Sequence, residues 1–185
     1  MEKRLLAGVD VGTSGAKCII ADEDGRVLAS STQEYPLSTP KPGWAEQNPA
    51  DWWDGVARGL REITAKVDVS RLVGLSMSGQ MHGLVALDKD DRVIRPAMLW
   101  CDQRVYKQCD WITARAEGLL KYTNNRMLTG YTGGKLLWMR ENEPENFERM
   151  VSFLCPKDYI RFRLTGEKGT DMSEASGTGF MDTKH

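Results

Sequence analysis

The chain has 185 residues, 25 basic against 26 acidic, for a net charge of −1, enough for one good-sized core at roughly 100–200 residues per domain. No basic block argues for nucleic acid, and no apolar run approaches the roughly 20 residues of a membrane span. The opening Met-Glu-Lys-Arg-Leu-Leu lacks a signal-peptide core, so the expectation is a soluble cytoplasmic domain whose partners include neither nucleic acid nor membrane.

Residues 4–35 read as a three-stranded antiparallel meander: one strand ending at Asp10, a second over about 16–21, and a third over 26–35 after a Glu23-Asp24-Gly25 turn. The Pro- and Gly-rich stretch 36–49 is a loop. Asn48-Pro49 marks a helix start, with Asn as cap and Pro at the first helical position. Trp52, Val56, Leu60, Ile63 and Val67 then recur at steps of four, four, three and four, an apolar stripe that should pack on one face of the sheet. Residues 72–77 read as a buried strand ending in the polar loop Ser78-Gly79-Gln80-Met81-His82-Gly83. A small hairpin follows over 84–87 and 93–94. Residues 103–150 are mainly helical, broken near Thr129-Gly130 and Glu143-Pro144. A short strand over 151–154, a helix over 157–164 and a Gly- and Ser-rich stretch over 170–179 complete the pattern. This order predicts a mixed α/β sheet with helices on both faces, and sites in such sheets gather at the carboxyl ends of strands. Asp10 and the Gln80-Met81-His82 loop lie at two such ends.

The first turn concentrates the chemistry. In Gly8-Val9-Asp10-Val11-Gly12-Thr13-Ser14-Gly15-Ala16-Lys17 the glycines let backbone N–H groups approach an anion. Thr13 and Ser14 can donate to phosphate oxygens, Lys17 adds positive charge, and Asp10 can hold a hydrated Mg²⁺. The sequence is neither a P-loop, whose G-x-x-x-x-G-K-[ST] pattern is absent, nor a Rossmann fingerprint, because no helix opens after the glycines. An ordinary β-turn that happens to contain Gly and Ser is the alternative.

The other polar groups each carry two readings. His82 satisfies a backbone carbonyl at a strand end, or joins Gln80 in binding a polyhydroxylated ligand, since both side chains donate and accept. Asp102 and Arg104 form a clamp for hydroxyls, or Asp102 caps the following helix with Arg104 on its surface. Trp44 anchors its loop, Trp52 and Trp53 pack, and Lys135 starts a helix. Asp171 and Ser173 cap a helix or face a nucleotide. The cysteines Cys18, Cys101, Cys109 and Cys155 lack CxxC spacing and, with two histidines in the chain, make a zinc site a poor fit; three of them read as buried, reduced packing residues. No Ser/His/Asp or Cys/His arrangement emerges, because His82 has no partner marked in the sequence.

These segments together resemble the FGGY carbohydrate kinases, and within that family its xylulokinase branch. The resemblance rests on the 8–17 turn, Gly43-Trp44-Ala45-Glu46-Gln47-Asn48-Pro49 with Trp52-Trp53, Gly79-Gln80-Met81-His82-Gly83 and Trp100-Cys101-Asp102-Gln103-Arg104. It continues through Lys135-Leu136-Leu137-Trp138, Pro156-Lys157-Asp158-Tyr159 and the run from Thr170 to Thr178. It implies an actin-like ATPase fold of the ribonuclease H type, a mixed five-stranded sheet of order 3-2-1-4-5. It further implies ATP and Mg²⁺ as cofactors, with Gly12, Thr13, Ser14 and Lys17 at the phosphates and Asp10 at the metal through water. Gln80, Met81, His82, Asp102 and Arg104 would face the sugar, and the reaction would be phosphorylation of D-xylulose. Met81-His82 stands where glycerol kinases carry Arg and Glu; gluconate or another polyol, or a non-catalytic actin-like nucleotide-binding module, are the rival readings. Thr132-Gly133-Gly134 replaces the Ala-Pro that often precedes the Lys of Lys135-Leu136 in that branch. The resemblance places the catalytic Asp and an adenosine-binding domain beyond His185. The expectation is therefore an incomplete N-terminal kinase domain over 1–185, inactive alone, whose exposed apolar surface favours a homodimer.

Overall fold

The computed structural model describes residues 2–184. The chain folds into two compact units, one running through Pro36 and taking in Ala50–Gln80, the other comprising Leu37–Pro49 and the chain from Met81 onward.

In the first unit, alternation of apolar and polar residues produces β1 (Leu5–Val11), β2 (Gly15–Asp22) and β3 (Val27–Glu34). They pair antiparallel as the expected meander, with Asp10 opposite Lys17. Leu5, Ala7, Val9 and Val11 from β1 are buried together with Ala16, Cys18 and Ile20 from β2. After the two-residue β4 (Glu46–Gln47), which belongs to the other unit, α1 (Pro49–Thr64) starts at its proline as predicted. Trp52, Val56 and Ile63 of its stripe are fully buried. The helix approaches the sheet closely at Gly59, where a Cβ would lie 2.8 Å from Cys18 Sγ. Glu62 on α1 accepts from Ser31 Oγ at 2.5 Å and Gln33 Nε2 at 2.9 Å, which pins the helix across β3.

The crossover through α1 brings β5 (Leu72–Gly79) parallel to β1, with Ser78 opposite Asp10, and gives the sheet order β3-β2-β1-β5. Four strands pair in this sheet among the described residues, where the family resemblance led us to expect five; the meander and the mixed character of the sheet are as predicted. The buried strand expected over 72–77 is corrected. Val73 and Leu75, two residues apart and so on one face of β5, are 59% and 43% exposed, because that face is left uncovered among the described residues. Gly8, Asp10, Lys17, Ile19, Ser76 and Ser78 line an open groove of about 510 Å³.

The second unit holds β6 (Val85–Leu87), β7 (Ala97–Met98), α2 (Tyr106–Arg115), α3 (Leu119–Thr123), α4 (Thr132–Asn142), α5 (Pro144–Arg149), β8 (Ser152–Leu154), α6 (Pro156–Thr165) and α7 (Met172–Ser176). The helical stretch breaks at the two predicted places and once more at Gly118, whose φ of 82° ends regular helix. The hairpin predicted over 84–94 reduces to one bridge, Leu87 to Val93, and β6 pairs with β8 instead. The Asp88 carboxylate takes the N–H groups of Asp90 and Arg92 and so turns the chain before a second strand can form. β4 pairs with β7. Leu84, Ala86, Met98, Val105, Cys109, Trp138 and Met139 form the core of this unit. Cys18, Cys109 and Cys155 are buried free thiols, as expected.

Candidate functional site

Asp10 emerges from the end of β1 on the exposed side of the sheet, and its Oδ1 accepts from Ser78 Oγ at 2.6 Å. Lys17, its cross-strand partner, is exposed on the same groove. The turn between them is closed by the Gly12 N–H donating to the Gly15 carbonyl at 3.0 Å. That amide is therefore used inside the turn and is not the free anion donor the sequence suggested. A connection this short between paired strands must close on itself. The Gly12 carbonyl accepts from Tyr35 Oη at 2.6 Å, and burial together with the nearby Asp10 charge raises the phenol's pKa. Thr13 Oγ1 donates to Gln80 Oε1 at 3.3 Å, while the Gln80 N–H donates to the Val11 carbonyl at 2.8 Å. Ser14 is exposed at the tip. The structure thus joins Asp10, Gly12, Thr13, Lys17 and Gln80 around one strand end, and adds Ser78 and Tyr35, which composition alone did not mark.

In the second unit Met81 is 51% exposed, whereas His82 is half-buried at a φ of +57°. A non-glycine residue in that region is strained by about 1–2 kcal/mol and must be held there. Its N–H donates to Glu174 Oε1 at 2.5 Å, and its carbonyl accepts from Thr132 Oγ1 at 3.2 Å and Lys135 Nζ at 3.1 Å. The imidazole Nδ1 lies 3.2 Å from the same Glu174 oxygen, close enough to pair yet off the line of a straight hydrogen bond. The ring meets Tyr131 edge-on at 5.2 Å. Burial pushes the Glu174 carboxyl up, but the nearby His82 ring, the His82 N–H and the Cys155 thiol outweigh it and hold its pKa below the usual value. His82 therefore has a carboxylate partner that its sequence neighbourhood did not show. Asp171 caps α7, taking the Glu174 N–H, which agrees with the capping alternative.

Lys135 is fully buried inside α4 rather than at its head, because the helix starts at Thr132. Its Nζ donates to the carbonyls of His82, Gly130 and Tyr131. Burial drives its pKa down to about 8, against the upward pull of Asp102 and the nearby thiols.

Asp102 does not cap the next helix. That helix begins at Tyr106 behind Val105 with no side-chain cap. Asp102 is instead wholly buried, accepting from the Ala45 N–H at 2.7 Å, the Arg104 N–H at 2.9 Å and the Arg104 guanidinium at 2.6 Å. Arg104 is likewise off the surface. Its guanidinium stacks 3.5 Å from the Trp44 ring centroid and reaches Glu46 Oε1 at 2.7 Å. Glu46 also pairs with Arg95, a role that its place in a Pro- and Gly-rich stretch of the sequence does not mark. As expected, Trp44 anchors its loop, packed edge-on against Trp138 at 5.5 Å.

Comparison with known proteins decides the family. The N-terminal domain model of the FGGY family of carbohydrate kinases matches residues 5–185. The chain belongs to the FGGY family. Over 178 residues it is 42% identical to the xylulose kinase of Escherichia coli K12, covering 96% of this chain and 37% of that protein. It superposes on the crystal structure of a xyloylose kinase from Brucella ovis with a TM-score of 0.94 at 38% identity, covering 97% of this chain and 38% of the other. The gluconate kinase of Lactobacillus acidophilus gives 0.91 at 32% identity, covering 98% and 37%. This FGGY chain thus spans somewhat over a third of the length of these relatives. Its fold is the actin-like one of FGGY sugar kinases, with the strand order β3-β2-β1-β5. No helix among its described residues is long and apolar enough to cross a membrane.

Proposed function

We propose that a protein carrying this chain transfers the γ-phosphoryl group of ATP to a hydroxyl of D-xylulose, giving D-xylulose 5-phosphate. The observation that carries this reading is the likeness to xylulose kinases across nearly the whole chain; Met81-His82, which the sequence resemblance puts on the sugar side, is consistent with it. The gluconate kinase likeness keeps gluconate as the second reading.

Phosphoryl transfer relies on positioning and on neutralising charge. Thr13, Ser14 and Lys17 would hold phosphate oxygens, with Gly12 shaping the turn that presents them. Among the described residues no cluster of His, Cys, Asp and Glu could hold a metal by itself. The single exposed carboxylate of Asp10, oriented by Ser78, instead suits Mg²⁺, which keeps most of its waters and shares phosphate oxygens. When bound there, Mg²⁺ supplies neutralising charge at the phosphates. Gln80, Met81 and His82 would face the sugar. Asp102 and Arg104, closed on each other and on Trp44, are buried and would support the sugar side as framework. No side chain of this chain is proposed as the base. Exposed Leu6, Val73 and Leu75 support self-association as a homodimer within the same proposal.

A split in kinetics tests the assignment on a protein of the relatives' length. Asp10→Asn should lower kcat by about 100-fold or more with the sugar KM nearly unchanged. His82→Gln should chiefly raise the sugar KM, by about tenfold. Full turnover by the Asp10 variant would remove the phosphate-side role.

A further inference from the structure

The His82 loop is held more firmly than packing alone requires. Both backbone polar groups of this residue at positive φ are taken up by buried side chains: Glu174 at the N–H, Thr132 and Lys135 at the carbonyl. Gly177 leaves room for the ring and for nothing else, since a Cβ there would fall 1.8 Å from His82 Cε1. That residue has an ordinary helical backbone, so it is space and not conformation that demands glycine. The titratable and charged groups packed about the ring are Glu174 on α7, Lys135 on α4, Tyr131 just before α4, and Cys155 beyond Glu174. Of these groups Glu174 presents an oxygen to a ring nitrogen, Nδ1, and that oxygen already serves as an acceptor for the His82 N–H.

A carboxylate only accepts, so the imidazole nitrogen that faces it carries the proton, and the opposite nitrogen of the neutral ring keeps a lone pair. We propose that Glu174 is a positioning residue that keeps the His82 proton on Nδ1, leaving Nε2 as the acceptor for a hydroxyl of the sugar. The inference rests on the sugar-side reading of His82 and deepens it, because it fixes which partner donates. A ligand hydroxyl must point its hydrogen at the ring, and a carbonyl or carboxylate oxygen in the same place meets a lone pair. Thr132 and Lys135 act on the other side of the peptide, holding the carbonyl so that the ring cannot swing away.

The test is the nitrogen-15 imidazole spectrum of this chain. It holds two histidines, so His185→Ala assigns His82 by difference. The wild type should show the proton on Nδ1. Glu174→Gln, which keeps an acceptor oxygen but loses the charge, should retain that tautomer with a lower imidazole pKa. Glu174→Met, which loses both, should shift the proton toward Nε2 and, in a protein of the relatives' length, raise the D-xylulose KM about tenfold with kcat changed less. A purely structural role for Glu174 would leave tautomer and pKa where they are. A wild-type proton on Nε2, or a His82 pKa unmoved in Glu174→Gln, overturns the proposal; the latter outcome serves even if Glu174→Met fails to fold. His82→Gln with an unaltered sugar KM and the Glu174 spectral shifts intact would instead overturn the sugar-side reading, and with it the use made of Nε2.

Discussion

Lys135 carries an ammonium group into the protein interior, and the three carbonyls it serves are what make that tolerable. Its folded pKa of about 8 lies below the ordinary 10.5. Between those values the unfolded chain binds more protons than the folded one, so this group makes stability rise with pH through that window. Below about pH 8 both states are protonated and the full penalty applies. Urea unfolding of the chain at pH 7.5 and pH 10 should therefore show wild type gaining on Lys135→Met by about 2 kcal/mol. Parallel pH profiles would mean that Lys135 is not desolvated as described. Arg104 shows how a charged residue is retained without facing solvent: Asp102 accepts from its guanidinium, Glu46 pairs with its charge and Trp44 takes its face.

At the scale of elements, α1 is the clearest case of sequence dictating structure. Asn48-Pro49 starts it, and its stripe delivers Trp52, Val56 and Ile63 to the core. Trp52→Ala should destabilise the chain by about 3–5 kcal/mol, and Trp53→Ala by much less, as read by urea unfolding. Equal losses would show that the helix does not use this face. The meander, α1 and the turn after β1 are legible because each depends on neighbours within a few residues. The partners of His82 are not. Glu174 lies 92 residues away and follows Asp171 at the spacing of a capping box, so in the sequence it reads as half of a helix cap. Only the folded chain shows its carboxylate turned to His82. The same holds for Asp102, whose place before a helical run suggests a cap, while the Ala45 N–H and the Arg104 guanidinium claim its oxygens. β5 misleads in the other direction. Its apolar run reads as buried, yet burial depends on what lies on either side of a strand, which the strand's own residues do not encode.

For the whole molecule, the fold and family are settled by likeness over the length of the chain, whereas the substrate turns on a few side chains. Asp10, Ser78 and Lys17 mark the phosphate side of the proposed reaction, and Met81 and His82 the sugar side. The most direct measurement is ATP-dependent phosphorylation by a protein of the relatives' length that carries this chain, with D-xylulose and gluconate compared at equal concentration and the product identified by phosphorus NMR. The expected product is a phosphomonoester on the 5-hydroxyl of D-xylulose, formed with a kcat/KM at least about tenfold above that for gluconate. Preferred phosphorylation of gluconate, or binding of ATP with no sugar phosphorylated at all, would contradict it.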